Sequence, residues 1–380
     1  MKLKLLLPLI ILLFSTRLFA QANKDQIEYS QIYGYNVFSP DYTLQGKSWG
    51  GELVYHFNMQ SSNATYVKAL NIKSIDIVGS YRNFQSITIN NKPESLGTLG
   101  DAYSIISRFE IQVAKAGPVQ LLFTPGFGVT YSTVSYFTNQ NPILGSKINL
   151  TAQLGLKLFT AITPSTGIQG GIDMLHYSNS GERIPNNGVN AVNLSLGLVQ
   201  SINVKGPGGA KEPFVYNGNN SFEFTADFGE RGVYEKKQEL HRAGFYAGYS
   251  RKINDVLSVR GGLDAGYYFT KFDTTNNETY GNTFENYGTS FSNWRLGVSI
   301  GGDVRLGRFT LFGNYGRYIY YDDFYRPATS TTRVLDYRVK YYFTPGFRYY
   351  LNQWMAVQIK QYINRSSADY LGIGLLVRTH

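Results

Sequence analysis

Apolar and polar residues alternate with a period of two through most of this chain, and the last segments show it most clearly. Leu371, Ile373, Leu375 and Val377 alternate with Gly372, Gly374, Leu376 and Arg378; Leu335, Tyr337, Val339, Tyr341 and Phe343 alternate with Asp336, Arg338, Lys340, Tyr342 and Thr344. Successive side chains of a strand point to opposite faces, so the pattern predicts strands with one apolar and one polar face. Comparable segments fall at 27–36, 47–58, 70–84, 100–114, 118–137, 147–162, 165–178 and 190–204. A second set falls at 221–233, 240–252, 255–271, 290–306, 307–322, 333–350, 353–364 and 367–379. The predicted class is all-β, an antiparallel transmembrane β-barrel whose closure removes the sheet edges. The flexible stretch Lys205-Gly206-Pro207-Gly208-Gly209-Ala210-Lys211-Glu212-Pro213 joins the two sets. The preferred arrangement is about sixteen strands in one ring, an allowed even number. The alternative is an eight-stranded barrel followed by a second small one. Asp273 to Asn293, rich in Asn, Thr and Gly, reads as an extracellular loop.

Composition sharpens this picture. The first twenty residues have a basic start at Lys2 and Lys4, an apolar stretch from Leu5 to Phe14 and a small-residue exit near Ala20. That is the layout of a signal peptide, and its apolar part is too short to span a bilayer. The expected organisation is 1–20 signal peptide, 21–205 a first eight-strand half and 206–380 additional strands. With Tyr 31, Phe 24 and Gly 40 but a mean hydropathy of only -0.23, the chain is aromatic and glycine-rich without being hydrophobic overall. A helical membrane protein would be far more apolar, whereas a barrel needs only every second residue apolar and uses aromatics for its girdles. Absence of cysteine excludes a disulfide framework and a thioether lipid anchor. The net charge of +10 suits phosphate-bearing or anionic lipid partners.

Candidate chemistry centres on one of four histidines. In Gly171-Ile172-Asp173-Met174-Leu175-His176-Tyr177-Ser178-Asn179, alternation puts Ile172, Met174, His176 and Ser178 on one face, identified as lipid-facing by its apolar members. Asp173, Leu175 and Tyr177 face the lumen. A histidine and a serine two residues apart on one face are the minimum for a nucleophile and its base. The next strand adds Asn190 to the same outer face. Other patterns recommend themselves less. Gly297-Val298-Ser299-Ile300-Gly301 lies within an alternating strand, without the turn of a nucleophile elbow. Asp322 and Asp323 read as loop charges, and His56, His241 and His380 have no evident partners. No metal or other cofactor is indicated.

These residues resemble the PagL-type lipid A deacylases, a family that includes acyloxyacyl hydrolases. The resemblance is carried by His176-Tyr177-Ser178-Asn179-Ser180-Gly181 followed by Pro185-Asn186-Asn187-Gly188-Val189-Asn190. Upstream, Gly126-Phe127-Gly128-Val129-Thr130-Tyr131 and Leu144-Gly145-Ser146-Lys147-Ile148-Asn149 resemble the preceding strand and loop. The first half, to about residue 205, is comparable with the small eight-stranded members. The resemblance implies that Ser178 attacks an ester carbonyl of lipid A, that His176 moves the proton, and that Asn179 and Asn186 stabilise the oxyanion. Small members carry a glutamate where this chain has Asn190, so the imidazole-orienting group lacks a charge. Glu182 is the alternative acid.

The expected activity is therefore a serine esterase removing an ester-linked acyl chain from lipid A of lipopolysaccharide, in the bacterial outer membrane and without nucleic acid partners. Two rivals stand beside it. One is a passive pore or transport barrel, favoured by a single wide ring; the other is a structural barrel that has lost the chemistry.

Overall fold

A computed structural model describes residues 24–40, 42–89, 97–205, 218–232, 239–269, 294–321, 340–364 and 367–379. The signal peptide expected at 1–20, the joint at 206–213, the loop at 273–293, Asp322, Asp323, the 333–339 part of the strand expected at 333–350, and His380 lie outside them.

In chain order the first unit contains β1 (Lys24–Phe38), β2 (Leu44–Gln45), β3 (Ser48–Asn58), α1 (Thr65–Leu70), β4 (Ile72–Asn83), β5 (Thr88–Ile89), β6 (Asp101–Ala116), β7 (Val119–Ser132), α2 (Tyr136–Asn139), β8 (Ile148–Ala161), β9 (Thr166–Ser178) and β10 (Val189–Lys205). The second contains β11 (Asn220–Gly232), β12 (Glu239–Lys252), β13 (Leu257–Tyr268), β14 (Trp294–Leu306), β15 (Phe309–Tyr321), β16 (Tyr341–Tyr350), β17 (Met355–Asn364) and β18 (Ser367–Thr379). By contacts, Ser180–Asn186 groups with this second unit.

The chain forms two closed antiparallel barrels, and the single ring of about sixteen strands is overturned. One barrel runs β1-β10-β9-β8-β7-β6-β4-β3 and the other runs β11 to β18 in sequence order. Closure of the first is the β1–β10 ladder, which extends from Lys24 opposite Lys205 to Phe38 opposite Asn190. Closure of the second is the β11–β18 ladder, from Phe222 opposite Thr379 to Glu230 opposite Leu371.

Side-chain reach explains the preference for eight strands. An eight-stranded barrel is just narrow enough for its inward residues to fill the interior. In the first barrel Gln153 on β8 donates to Glu52 on the opposite wall at 3.2 Å, and Gln169 on β9 donates to Glu110 on β6 at 2.7 Å. In the second, Arg295 on β14 meets Asp369 on the facing β18 at 2.8 Å. A sixteen-stranded ring would hold these partners too far apart. Both interiors are therefore packed with polar side chains, and the wide lumen on which the pore reading depended is gone.

The outer faces are apolar. Ile105 is 71% exposed and Leu196 65% exposed, while their strand neighbours Ser104 and Gly197 are buried. All sixteen barrel strands are at least ten residues long, enough to cross a bilayer's hydrocarbon core when tilted. No described helix is long and apolar enough to cross a membrane. At the end of the first barrel where β9 finishes, the polar interior gives way to an apolar plug that includes Val37, Phe84, Ile87, Leu99, Leu144 and Tyr177. The opposite end is covered by α1, where Val67 packs with Met59, Ala64 and Ile72.

Candidate active site

The β9–β10 ladder sets the site. His176 lies directly opposite Asn190, and directly opposite residues of an antiparallel pair have Cβ atoms about 4.5–5.5 Å apart. The imidazole closes that gap: its Nδ1 lies 2.9 Å from Asn190 Oδ1. Ser178, two residues along the same face of β9, places Oγ 3.1 Å from His176 Nε2. Serine, histidine and asparagine thus form one continuous row. Ser178 and Asn190 are buried and His176 is half-buried.

The asparagine amide has a defined orientation. Its Nδ2 donates to the Phe38 carbonyl at 3.4 Å, leaving Oδ1 for the ring. An oxygen at Nδ1 requires that nitrogen to carry the proton, so Nε2 is left with a lone pair facing the Ser178 hydroxyl. This is the tautomer a general base needs.

Neighbouring segments hold the row in place. Inward-facing Tyr177 lies between His176 and Ser178 in sequence and is fully buried in the apolar plug, 6.0 Å from the Phe84 ring by centroids. Such anchoring locks the backbone that carries both side chains. The Ile143 carbonyl, from the β7–β8 connection, accepts from the amides of Asn187 at 3.0 Å and Gly188 at 3.2 Å. Asn141 Oδ1 in turn accepts from the Ile143 and Leu144 amides at 3.1 and 2.9 Å. Gly188 has φ +67°, and a Cβ there would come within 2.9 Å of His176 Cε1. Only glycine fits that conformation and that proximity without displacing the ring.

Below the row the outer wall is hydrocarbon-like. Ile172 and Met174 on β9 are exposed, opposite Leu156 and Leu154 on β8 and Leu194 and Val192 on β10. His176 and Ser178 therefore lie on the outer face of the wall, the side their phase predicts. Asp173 is buried, accepts from Asn193 at 2.9 Å and stays out of the row, as its phase predicts.

The remaining predicted residues fall in two groups. Asn179 is buried immediately after Ser178. Glu182 is exposed and Asn186 half-buried, and both belong to the segment that groups with the second unit. Ser299, in the discounted glycine-serine pattern, is an ordinary β14 residue whose hydroxyl bonds Asp264. Two histidines do have partners, contrary to expectation: His241 pairs with Glu230 at 3.0 Å, and His56 sits among Glu28, Asp76 and Glu110. Their partners come from adjacent or next-but-one strands, which sequence spacing does not display. Phase likewise could not reveal the contributions of Tyr177, Gly188 and the Phe38 and Ile143 carbonyls, which depend on loops folding back over the strand ends. The one legible hint was Gly188 in the loop motif.

Residues 36–199 match the family described as lipid A 3-O-deacylase (PagL), and residues 217–380 match the acyloxyacyl hydrolase C-terminal domain. The chain belongs to the PagL-type lipid A deacylase and acyloxyacyl hydrolase family. It is an outer-membrane β-barrel protein of bacteria, and its family acts on lipid A as hydrolases. Among solved structures, the outer membrane enzyme PagL is similar at 18% identity and a TM-score of 0.30, over 45% of this chain and 97% of that one. Neisserial surface protein A is similar at 13% identity and a TM-score of 0.32, over 48% of this chain and 99% of that one. Membership rests on the two family matches. No curated protein matches the chain.

Proposed function

We propose that the first barrel of this family member is a serine esterase that removes an ester-linked acyl chain from lipid A in the outer leaflet. The observation that carries the reading is the Ser178–His176–Asn190 row, with contacts of 3.1 and 2.9 Å, on an apolar outer wall at a strand end. If the N-terminus of β1 is periplasmic, β9 runs outward and its end lies at the extracellular rim, at the depth of lipid A ester bonds.

Ser178 Oγ attacks the ester carbonyl as His176 Nε2 takes the hydroxyl proton. The carbonyl oxygen becomes an oxyanion, for which Asn179 is the proposed donor. Collapse breaks the ester bond, and His176 returns the proton to the departing hydroxyl. Water, deprotonated by the same nitrogen, then attacks the acyl-serine, releasing the fatty acid and restoring Ser178. Asn190 Oδ1 accepts from Nδ1–H throughout, keeping Nε2 aimed at the reaction.

The test is mass spectrometry of lipid A from cells expressing the wild type or Ser178→Ala. Loss of one acyl mass with the wild type alone supports the reading, whereas unchanged lipid A in both cultures would sink it. Asn190 favours a second reading, a structural barrel with decayed chemistry, because a neutral group cannot balance an imidazolium charge. That reading expects unchanged lipid A in both cultures while both proteins remain folded.

A further inference from the structure

One end of the second barrel holds a charge imbalance that the esterase chemistry does not use. Arg231 on β11, Arg242 on β12 and Arg295 on β14 gather about Tyr268 on β13 and Asp369 on β18. The carboxylate is fully engaged: Arg231 Nη1 lies 2.6 Å from its Oδ1 and Arg295 Nη1 lies 2.8 Å from its Oδ2, which also accepts from the Tyr268 hydroxyl at 2.5 Å. Arg242 is left over. It is only 6% exposed, and its charged neighbours are Asp369 and the two other arginines. Among the described residues its one hydrogen bond runs from Nη1 to the His241 carbonyl at 2.9 Å, and it makes no ion pair. Its Nε is buried without a hydrogen-bond partner. Acids deeper in the lumen are occupied elsewhere: Asp227 pairs with Lys360 at 2.9 Å, and Asp264 accepts from the Tyr342 and Ser299 hydroxyls.

We infer that this end of the second barrel binds a phosphate-class oxyanion, with Arg242 as its principal contact. A buried charge needs a partner, and here three guanidiniums surround one carboxylate. A doubly charged anion matches that excess, which a carboxylate ligand would only halve. A guanidinium gives two parallel N–H groups to two oxygens of one phosphate. With Nη1 committed to the His241 carbonyl, Nε and Nη2 form the edge that meets the anion.

The surroundings hold that edge ready. The guanidinium carbons of Arg242 and Arg295 lie over the Tyr268 ring, 3.9 and 4.1 Å from its centroid, so the ring fixes the plane of the guanidinium that meets the ligand. Arg231 and Arg295, themselves held by Asp369, add attraction without having to move. This end of the barrel faces outside. Here the chain returns through its long connections, from Tyr268 to Trp294 and from Tyr321 to Tyr341; at the other end it uses short ones, from Leu306 to Phe309 and from Tyr350 to Met355. Long loops are extracellular and short turns periplasmic in bacterial barrels. The anion therefore arrives as free phosphate from the medium or as a phosphate monoester on a sugar headgroup of the outer leaflet. Both sources present the same oxygens to Arg242.

The experiment is calorimetric titration of the purified, detergent-folded full chain with inorganic phosphate. The expected result is about one phosphate per chain, displaced by sulfate and far less by acetate. Arg242→Gln lowers the affinity about 10- to 100-fold by removing a charged hydrogen-bond donor. Arg242→Lys keeps the charge, loses the paired edge and also binds more weakly, whereas Lys47→Gln, on the first barrel, binds as the wild type does. A second arm uses Ser178→Ala, so that lipid is not consumed: competition by micelles of phosphorylated lipid A, and not of dephosphorylated lipid A, supports a headgroup as the source, and phosphate binding without such competition supports the free ion. Failure of the wild type to bind phosphate overturns the inference whatever the variants do. Undiminished binding by a folded Arg242→Gln overturns it too, and where that variant does not fold, undiminished binding by Arg242→Lys does the same.

Discussion

The uncharged third member of the row leads to a quantitative prediction. Replacing Asn190 by glutamate puts a full negative charge where a carboxamide oxygen now lies 2.9 Å from His176 Nδ1. During attack the ring becomes an imidazolium, and two unit charges about 4 Å apart near a protein surface attract by about 4 kcal/mol. That is the ceiling, because the amide dipole already supplies part of it and the carboxylate must lose water. A floor comes from hydrogen-bond energetics: bonds to charged groups contribute about 1.5–3 kcal/mol against about 0.5–1.5 for neutral ones, a gain of about 1 kcal/mol. Between these bounds, about 1.4–2 kcal/mol of added transition-state stabilisation corresponds to a 10- to 30-fold rise in kcat. Asn190→Asp gains less, since its second oxygen replaces the Nδ2 that donates to the Phe38 carbonyl and meets that oxygen at close range. The assay is release of fatty acid from purified lipid A in mixed micelles, with heat-modifiable gel mobility as the check on folding. A folded Asn190→Glu no faster than wild type, or an Asn190→Leu as fast as wild type, refutes the argument that this residue acts on the ring.

Four further outcomes follow from the same geometry. Ser178→Ala lowers kcat at least about 1000-fold in the micelle assay without changing gel mobility, because it removes the nucleophile and little packing. Gly188→Ala, whose Cβ would meet His176 Cε1 at 2.9 Å from a backbone at φ +67°, lowers kcat about 100-fold by displacing the ring and costs about 1–3 kcal/mol in urea titration. Glu182→Gln leaves fatty-acid release within about twofold of wild type, since Asn190 already occupies the nitrogen an alternative acid would need; a drop of tenfold or more would restore the acid role. A chain ending after Lys205 still folds to a heat-modifiable barrel, because β1 and β10 close the first ring without any strand of the second.

What the sequence made legible and what it hid divide along one physical line. A strand's two faces follow from alternation alone, so the outer placement of Ile172, Met174, His176 and Ser178 was readable, as was the lumenal placement of Asp173. All sixteen strands were likewise detectable, most with ends within a few residues of those observed, although β16 is described only from Tyr341 and β7 ends five residues before the expected 137. Ring number was not, because alternation reports which face is buried and never which strand lies beside which. That information resides in cross-lumen pairs such as Gln153 with Glu52 and Arg295 with Asp369, whose members are 101 and 74 residues apart.

The same division explains why the sequence offered Asn190 as the imidazole-orienting group only through the family resemblance and did not show how its amide is turned. Phase put it on the right face, but the orientation of its amide depends on the Phe38 carbonyl, 152 residues earlier, which reaches it only because the barrel closes through β1 and β10. An asparagine free to rotate would present nitrogen as readily as oxygen, and in a serine protease triad the wrong tautomer costs about ten-thousandfold. Here closure of the ring supplies the acceptor that turns the amide the useful way. Eight-strand closure and orientation of the Asn190 amide are thus one structural event: a single ring of about sixteen strands would separate β1 from β10 and leave Asn190 without the contact that orients it.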